Sequence, residues 1–242
     1  MFDHVTIRVS DRSASEPFYA TVLRAIDSEP THVGEDFAEW GDFSLTQATD
    51  ARPVTKRLHI GFVAPSREHV DEFWRAGTGA GFQDDGPPGP RPQYRHDYYG
   101  AFLLDPDGNS IEAVHHSGMR GGGIDHLWMR VANVAAARRF YERISPHTGF
   151  ELAQADAGHV RFVGPESSFS LRQGRPTENV HIAFPAGDNA AVDVFHKAAT
   201  EAGYRDCGAP GERPQYHAGY YGAYVLDPDG HNIEVVSHNR SA

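Results

Sequence analysis

One stretch decides the fold of this chain because it is written twice: residues 91–116, RPQYRHDYYGAFLLDPDGNSIEAVHH, and residues 213–238, RPQYHAGYYGAYVLDPDGHNIEVVSH. The two align at a constant offset of 122, with 17 of 26 positions identical. Outward from them, the same offset pairs Asp3-His4 with Asp125-His126, Phe18-Tyr19 with Phe140-Tyr141, and His59-Ile60 with His181-Ile182. A repeat of this length means two similar domains, not a short-period solenoid. The repeat places them at 1–117 and 124–242. Between them, 118–123 is rich in glycine and suits a flexible connection.

Inside the quoted stretch, Tyr99–Leu104 and Ile111–Val114 read as two β runs. Asp105-Pro106-Asp107-Gly108 joins them with Asp at i, Pro at i+1 and Gly at i+3, which specifies a tight type I turn and therefore a hairpin. Val5, Ile7 and Val9 alternate with His4, Thr6 and Arg8, the period of a half-buried strand. A helix is expected over Ser13–Leu23, short strands at Phe37–Trp40 and Phe43–Thr46, a strand at Leu58–Val63 and a helix at Ser66–Ala76. In the second copy, Asn133 and Asp188 are the expected helix N-caps and Gly203 a helix stop.

Composition narrows the function. With 39% hydrophobic residues over 242 positions the chain can bury one large core or two ordinary ones. A net charge of −11 repels nucleic acid and anionic membranes, which need clustered Lys and Arg. No run approaches the roughly 20 apolar residues of a membrane span, and Met1–Ser15 lacks a basic segment followed by an apolar one, so a cytoplasmic location is expected. Cys207 is solitary and is read as structural.

Three residue types able to bind metal recur at one spacing. His4, His59 and Glu112 stand 55 and 53 residues apart, and His126, His181 and Glu234 repeat both intervals. Each lies in a strand reading whose apolar neighbours face the other way, so the three can share one polar face. Two imidazoles and a carboxylate on one side of a divalent ion leave coordination positions open for water, substrate or oxygen. A single histidine among 15 is more often a surface or core residue than a ligand. The doubled triad weighs against that reading, because a histidine facing a polar interior offers packing less than Leu or Val. His116 and His238, four residues past each Glu and ~13 Å along the strand, are too distant for the same ion. Arg8 and Arg130 are candidates for an anionic substrate group or for plain solvated charge. Tyr94, Tyr98, Tyr99, Tyr216, Tyr220 and Tyr221 are candidate pocket aromatics, with Tyr98, Tyr99, Tyr220 and Tyr221 the expected substrate-binding set.

With DPDGNSIE and DPDGHNIE, and with a histidine opening the first and fifth strands of each copy, the chain resembles the vicinal oxygen chelate superfamily. That group spans glyoxalases, extradiol dioxygenases, fosfomycin-type thiol transferases, epimerases and metal-free bleomycin-resistance proteins. The resemblance implies an α+β fold of two tandem domains, each of paired βαβββ modules forming a cupped, incompletely closed mixed sheet. It implies metal ligands on the first, fifth and eighth strands, matching His4, His59 and Glu112, and then His126, His181 and Glu234. The superfamily closes such sites either within one copy or across two, and both arrangements stay open here.

A fourth ligand on strand four, usual in glyoxalases, is missing from Phe43-Ser44-Leu45 and Phe169-Ser170-Leu171. In the second copy, His217, Ala223-Tyr224, Asp227-Pro228, Gly230 and Glu234 come close to the extradiol dioxygenase signature, although Gln215 and Ala223 depart from it. The resemblance makes His217 the acid/base and Tyr224 the group that orients a bound catecholate. The first copy has Arg95 and Phe102 at those positions. The expectation is a metal-dependent dioxygenase-like enzyme on a small molecule, Fe(II) favoured over Mn(II), Ni(II) or Zn(II), acting as a monomer with pseudo-dimeric halves or as a homodimer. The alternatives are a Lewis-acid enzyme of the glyoxalase or thiol-transferase type, and a metabolite- or drug-binding protein without turnover.

Overall fold

The computed structural model describes residues 1–119 and 123–239; residues 120–122 of the expected 118–123 connection lie outside the described residues. Four βαβββ modules follow one another. The first comprises β1 (His4–Val9), α1 (Arg12–Arg24), β2 (His32–Val33), β3 (Phe37–Trp40) and β4 (Phe43–Gln47). In the second are β5 (His59–Val63), α2 (Arg67–Gly79), β6 (Gln83–Pro90), β7 (Tyr99–Leu104) and β8 (Ser110–His115). The third runs through β9 (Ile124–Val131), α3 (Val134–Ile144), β10 (Glu151–Ala155), β11 (His159–Val163) and β12 (Ser168–Gln173). The fourth ends the chain with β13 (His181–Pro185), α4 (Asn189–Glu201), β14 (Arg205–Glu212), β15 (Tyr221–Leu226) and β16 (Asn232–Ser237).

Local sequence chemistry accounts for the boundaries. Asp11, Ser66, Asn133 and Asp188 cap α1 to α4 by accepting backbone N–H groups of the first turn, as short oxygen-bearing side chains do at helix starts. Asp11 rather than Ser13 opens α1, so that helix begins a residue before the sequence reading. In the β7–β8 and β15–β16 hairpins, Gly108 and Gly230 take φ of +80° and +89° and return their N–H to Asp105 and Asp227. Asp105 also accepts from Tyr19, and Asp227 from Tyr141, which ties each turn to the first helix of its own copy.

The strands form two eight-stranded mixed sheets, in the orders β10-β11-β12-β9-β5-β8-β7-β6 and β14-β15-β16-β13-β1-β4-β3-β2. Neither sheet closes on itself. Each joins one module from each copy: β5 runs antiparallel to β9, and β1 antiparallel to β13. The helices do the opposite, α1 packing on α2 and α3 on α4, so each copy keeps its own helical layer. The sequence repeat and the sheets therefore divide the chain differently. A buried core of Phe2, Phe150, Phe169 and Phe184, drawn from three modules, locks the layers together; Phe2 lies 5.1 Å from Phe150 and 5.9 Å from Phe184 by ring centroids. No helix among the described residues is long and apolar enough to cross a membrane.

Candidate metal centres

Strand alternation builds each cup. In β9, Leu127, Met129 and Val131 are buried on the helical side, while His126, Trp128 and Arg130 face the concave side. β5 and β8 add His59 and Glu112: Glu112 and His126 flank Gly61 in one row across the sheet, and His59 stands two residues away on the same face of β5. In the second cup β1, β13 and β16 supply His4, His181 and Glu234 in the same way.

The ligands therefore group across the copies. His59, Glu112 and His126 converge in one cup; His4, His181 and Glu234 converge in the other. Of the two arrangements the sequence left open, within one copy or across two, the side chains take the second because β1 pairs with β13 and β5 with β9. In the first cup the edges are His59 Nε2 to Glu112 Oε2, 3.0 Å; His59 Nε2 to His126 Nε2, 3.2 Å; and His126 Nε2 to Glu112 Oε2, 3.3 Å. In the second they are His4 Nε2 to His181 Nε2, 3.1 Å; His181 Nε2 to Glu234 Oε2, 3.1 Å; and His4 Nε2 to Glu234 Oε2, 3.6 Å.

These edges fit a divalent ion. Donor atoms held about 2.1 Å from one ion at right angles stand about 3 Å apart. Asp3 accepts from His4 Nδ1 and Asp125 from His126 Nδ1, both at 2.8 Å, which turns each Nε2 lone pair toward the triad. Two imidazole nitrogens and a carboxylate oxygen facing one another need a cation or a proton between them. Without metal, the pKa values report that need. Burial would raise Glu112 and Glu234, yet the adjacent imidazoles hold both carboxyls below the ordinary value. Burial would lower His126, yet Asp125 and Glu112 push it up to about 9.

The surroundings of the triads were only partly foreseen. Tyr98 donates to Glu112 Oε1 at 2.8 Å and Tyr220 to Glu234 Oε1 at 2.7 Å, so these two expected substrate contacts also orient the triad carboxylates. Tyr99 and Tyr221 alternate onto the helical face, donating to Asp71 of α2 and Asp193 of α4, which places them outside the cups. His116 and His238 join neither group of three and hold Asp125 and Asp3 instead, at 3.3 and 2.8 Å. The sequence signal for the two aspartates was available in the repeated Asp-His pairs.

His217 reaches His238, with Nε2 and Nδ1 2.8 Å apart, and donates from its own Nδ1 to the Ala218 carbonyl. It thus terminates a chain His217–His238–Asp3–His4, while at its counterpart position Arg95 pairs with Asp97. Tyr224 lies beside His181, ring centroids 6.2 Å apart, and its buried hydroxyl makes no hydrogen bond of ordinary geometry among the described residues. Burial and the nearby Glu234 raise its pKa. Phe102 takes its place in the first cup and sits 5.9 Å from the His59 ring.

A cavity of about 880 Å³ opens over the His59–Glu112–His126 triad, walled by Tyr98, Phe102 and Trp128 and by several arginines. Its size is that of a small-molecule site. Cys207, read as structural, is exposed at the sheet edge in β14.

No curated protein matches this chain. Among solved structures, glyoxalase I from Zea mays is similar over 98% of this chain and 92% of that one, at 18% identity and a TM-score of 0.69. A glyoxalase/bleomycin resistance protein from Albidiferax ferrireducens is 33% identical over 48% of this chain and 99% of its own, with a TM-score of 0.44. The family model described as Glyoxalase/Bleomycin resistance protein/Dioxygenase superfamily matches residues 1–113 and again 123–235, and the chain belongs to that superfamily.

Proposed function

We propose that this protein is a divalent-metal-dependent enzyme acting on a small molecule that presents two adjacent oxygens. The observation that carries the reading is the pair of two-His-one-Glu triangles, each with edges of 3.0 to 3.6 Å and each braced by an Asp on one imidazole and a Tyr on the carboxylate. A bound ion supplies a Lewis-acidic centre with open positions for vicinal oxygens and, when it is Fe(II), access to O₂ chemistry.

For the His4–His181–Glu234 cup the favoured chemistry is extradiol-dioxygenase-like. Tyr224 offers a buried hydroxyl beside Glu234 and His181, without a hydrogen bond of ordinary geometry among the described residues, where it can donate to a substrate oxygen. Tyr220 and Asp3 keep Glu234 and His4 in orientation, and His217 touches substrate protons only through His238 or after swinging from it. A second reading, Lewis-acid catalysis of the glyoxalase or thiol-transferase type, is favoured for the His59–Glu112–His126 cup. There Phe102 and Arg95 stand in place of Tyr224 and His217.

Oxygen uptake with catechols by protein reconstituted anaerobically with Fe(II) tests the first reading. Tyr224→Phe and His217→Ala are expected to lower turnover by about tenfold or more while two equivalents of iron remain bound. Unchanged turnover in both variants would end the dioxygenase assignment. Thiol-dependent loss of an electrophile with Mn(II), without oxygen uptake, would move it to the second reading. Tight binding of a metabolite or drug that survives chelation would leave a sequestering protein.

A further inference from the structure

We infer that the cup over His59, Glu112 and His126 takes an anionic ligand, one whose carboxylate or phosphate lies away from the metal-binding end; this deepens the small-molecule reading above and rests on it. The chain carries −11 overall, yet this cavity is lined by Arg57, Arg91, Arg95, Arg130, Arg161 and Arg172 against Asp85, Glu112 and Asp125. Two of those three acids already serve the triad, and Asp85 accepts from Ser110.

The arginines divide into two sets. Arg57 is held by Glu178 and the Pro176 carbonyl, Arg91 by the Pro87 and Pro90 carbonyls, and Arg95 by Asp97. Arg130, Arg161 and Arg172 have no carboxylate within ion-pair distance among the described residues; Arg161 donates only to Ser168. These three sit together by sheet register. Arg172 pairs with Arg130 on β9 and with His159 on β11, while Arg161 pairs with Ser170 in the next row, whose other neighbour is Trp128. The Arg172 guanidinium lies 4.3 Å above the Trp128 ring, which orients it while leaving its N–H edge free. Burial and then Arg172 lower the pKa of His159, as a positive field would.

Three like charges crowded on adjacent strands oppose folding unless a counter-charge arrives. From His126 to Arg130 is four residues, ~13 Å along β9, so an anionic group bound there lies a small-molecule length from the triad. Trp128, between them, offers a face for a flat or apolar middle.

The other cup lacks this arrangement. In the equivalent rows, Thr6, Ser44 and Glu39 replace Trp128, Ser170 and Arg161, and Thr46 replaces Arg172. Arg8, the counterpart of Arg130, already donates to the Asn179 carbonyl.

The test is a binding measurement on the full chain loaded with Zn(II), which supports no oxygen chemistry, read by quenching of Trp128 with Trp128→Phe as the optical control. Two charged and uncharged pairs serve as probes: 3,4-dihydroxycinnamate against its methyl ester, and phenyl phosphate against phenol. The wild-type protein is expected to bind at least one anion about tenfold or more tighter than its neutral partner, the scale of a charge-assisted hydrogen bond. Which pair shows the preference identifies carboxylate or phosphate. Replacing the exposed Arg130→Gln, Arg161→Gln and Arg172→Gln should abolish the preference and leave the neutral probes unchanged, whereas Glu39→Gln in the other cup should not alter it. Equal affinity within both pairs, or a preference that survives the triple replacement, overturns the inference. Absence of diol turnover with Fe(II) would overturn the dioxygenase reading alone.

Discussion

The two cups share a frame and differ in their furnishing. In both, histidines from the first strands of two modules meet a glutamate on the hairpin after the DPDG turn, with Asp and Tyr bracing at matching positions. Around that constant centre, one cup is aromatic and cationic, with Trp128, Arg161 and Arg172. The other is small and polar, with Thr6, Thr46 and Glu39, and holds Tyr224 and His217 instead of Phe102 and Arg95. The contrast teaches that identity between the copies marks the ion-binding frame, whereas differences between them mark what each frame is offered.

The largest expected effect comes from breaking the exchange of ligands. His4→Ala with Glu234→Ala disables a single site and should leave one metal equivalent of two in elemental analysis, whereas His4→Ala with Glu112→Ala disables both sites and should leave none. Triads closed within each copy would give the reverse. Next is Gly61→Ala. A Cβ at Gly61 would stand 2.3 Å from His126 Cε1, while the equivalent strand position opposite His4 already carries Ala183. Metal affinity in the first cup should fall by about tenfold or more, the scale of a misoriented ligand, and Ala183→Gly should leave the second cup unchanged. Competition titration with a chelator reads both.

The smallest effect is on pH dependence without metal. His126, raised from 6.5 to about 9, contributes stability that is complete below 6.5 and lost as pH rises through about 9. His4, its counterpart in the other cup, is likewise raised against burial by Asp3 and Glu234 and shares in that loss, whereas His181 is shifted downward by burial and does not. The melting temperature of the metal-free chain should therefore fall by a few degrees between about pH 7 and 9.5. Glu112→Gln, which removes one of the charges raising His126, should flatten that fall, and a fall of the same size in the variant would assign it elsewhere.

Much of this was legible in the sequence, and for local reasons. The DPDG turn needs Pro and Gly at fixed places; Asn133 and Asp188 announce helix starts; Val5, Ile7 and Val9 against His4, Thr6 and Arg8 give both the strand and its polar face. Which modules share a sheet was not legible. The contact between β1 and β13 joins residues some 177 apart, and the same alternating strands satisfy either partner, so nothing within a strand selects between them. Tyr98 and Tyr99 illustrate the same limit at the site: adjacent and chemically alike, they go to opposite faces, one to Glu112 and the other to Asp71. Of the arginine row only Arg130, with its counterpart Arg8, stands out in the sequence; Arg161 and Arg172 depart from the repeat, which has Glu39 and Thr46 in their places.

Because each sheet borrows half its strands from the other copy, neither repeat owns a complete set of ligands. For the lineage that carries this gene, the two halves are thereby bound to a common fate. Neither can be shed as a spare after duplication, because losing either whole copy would forfeit both centres at once. Only the walls are free to drift apart, which leaves room for two trades under one inheritance.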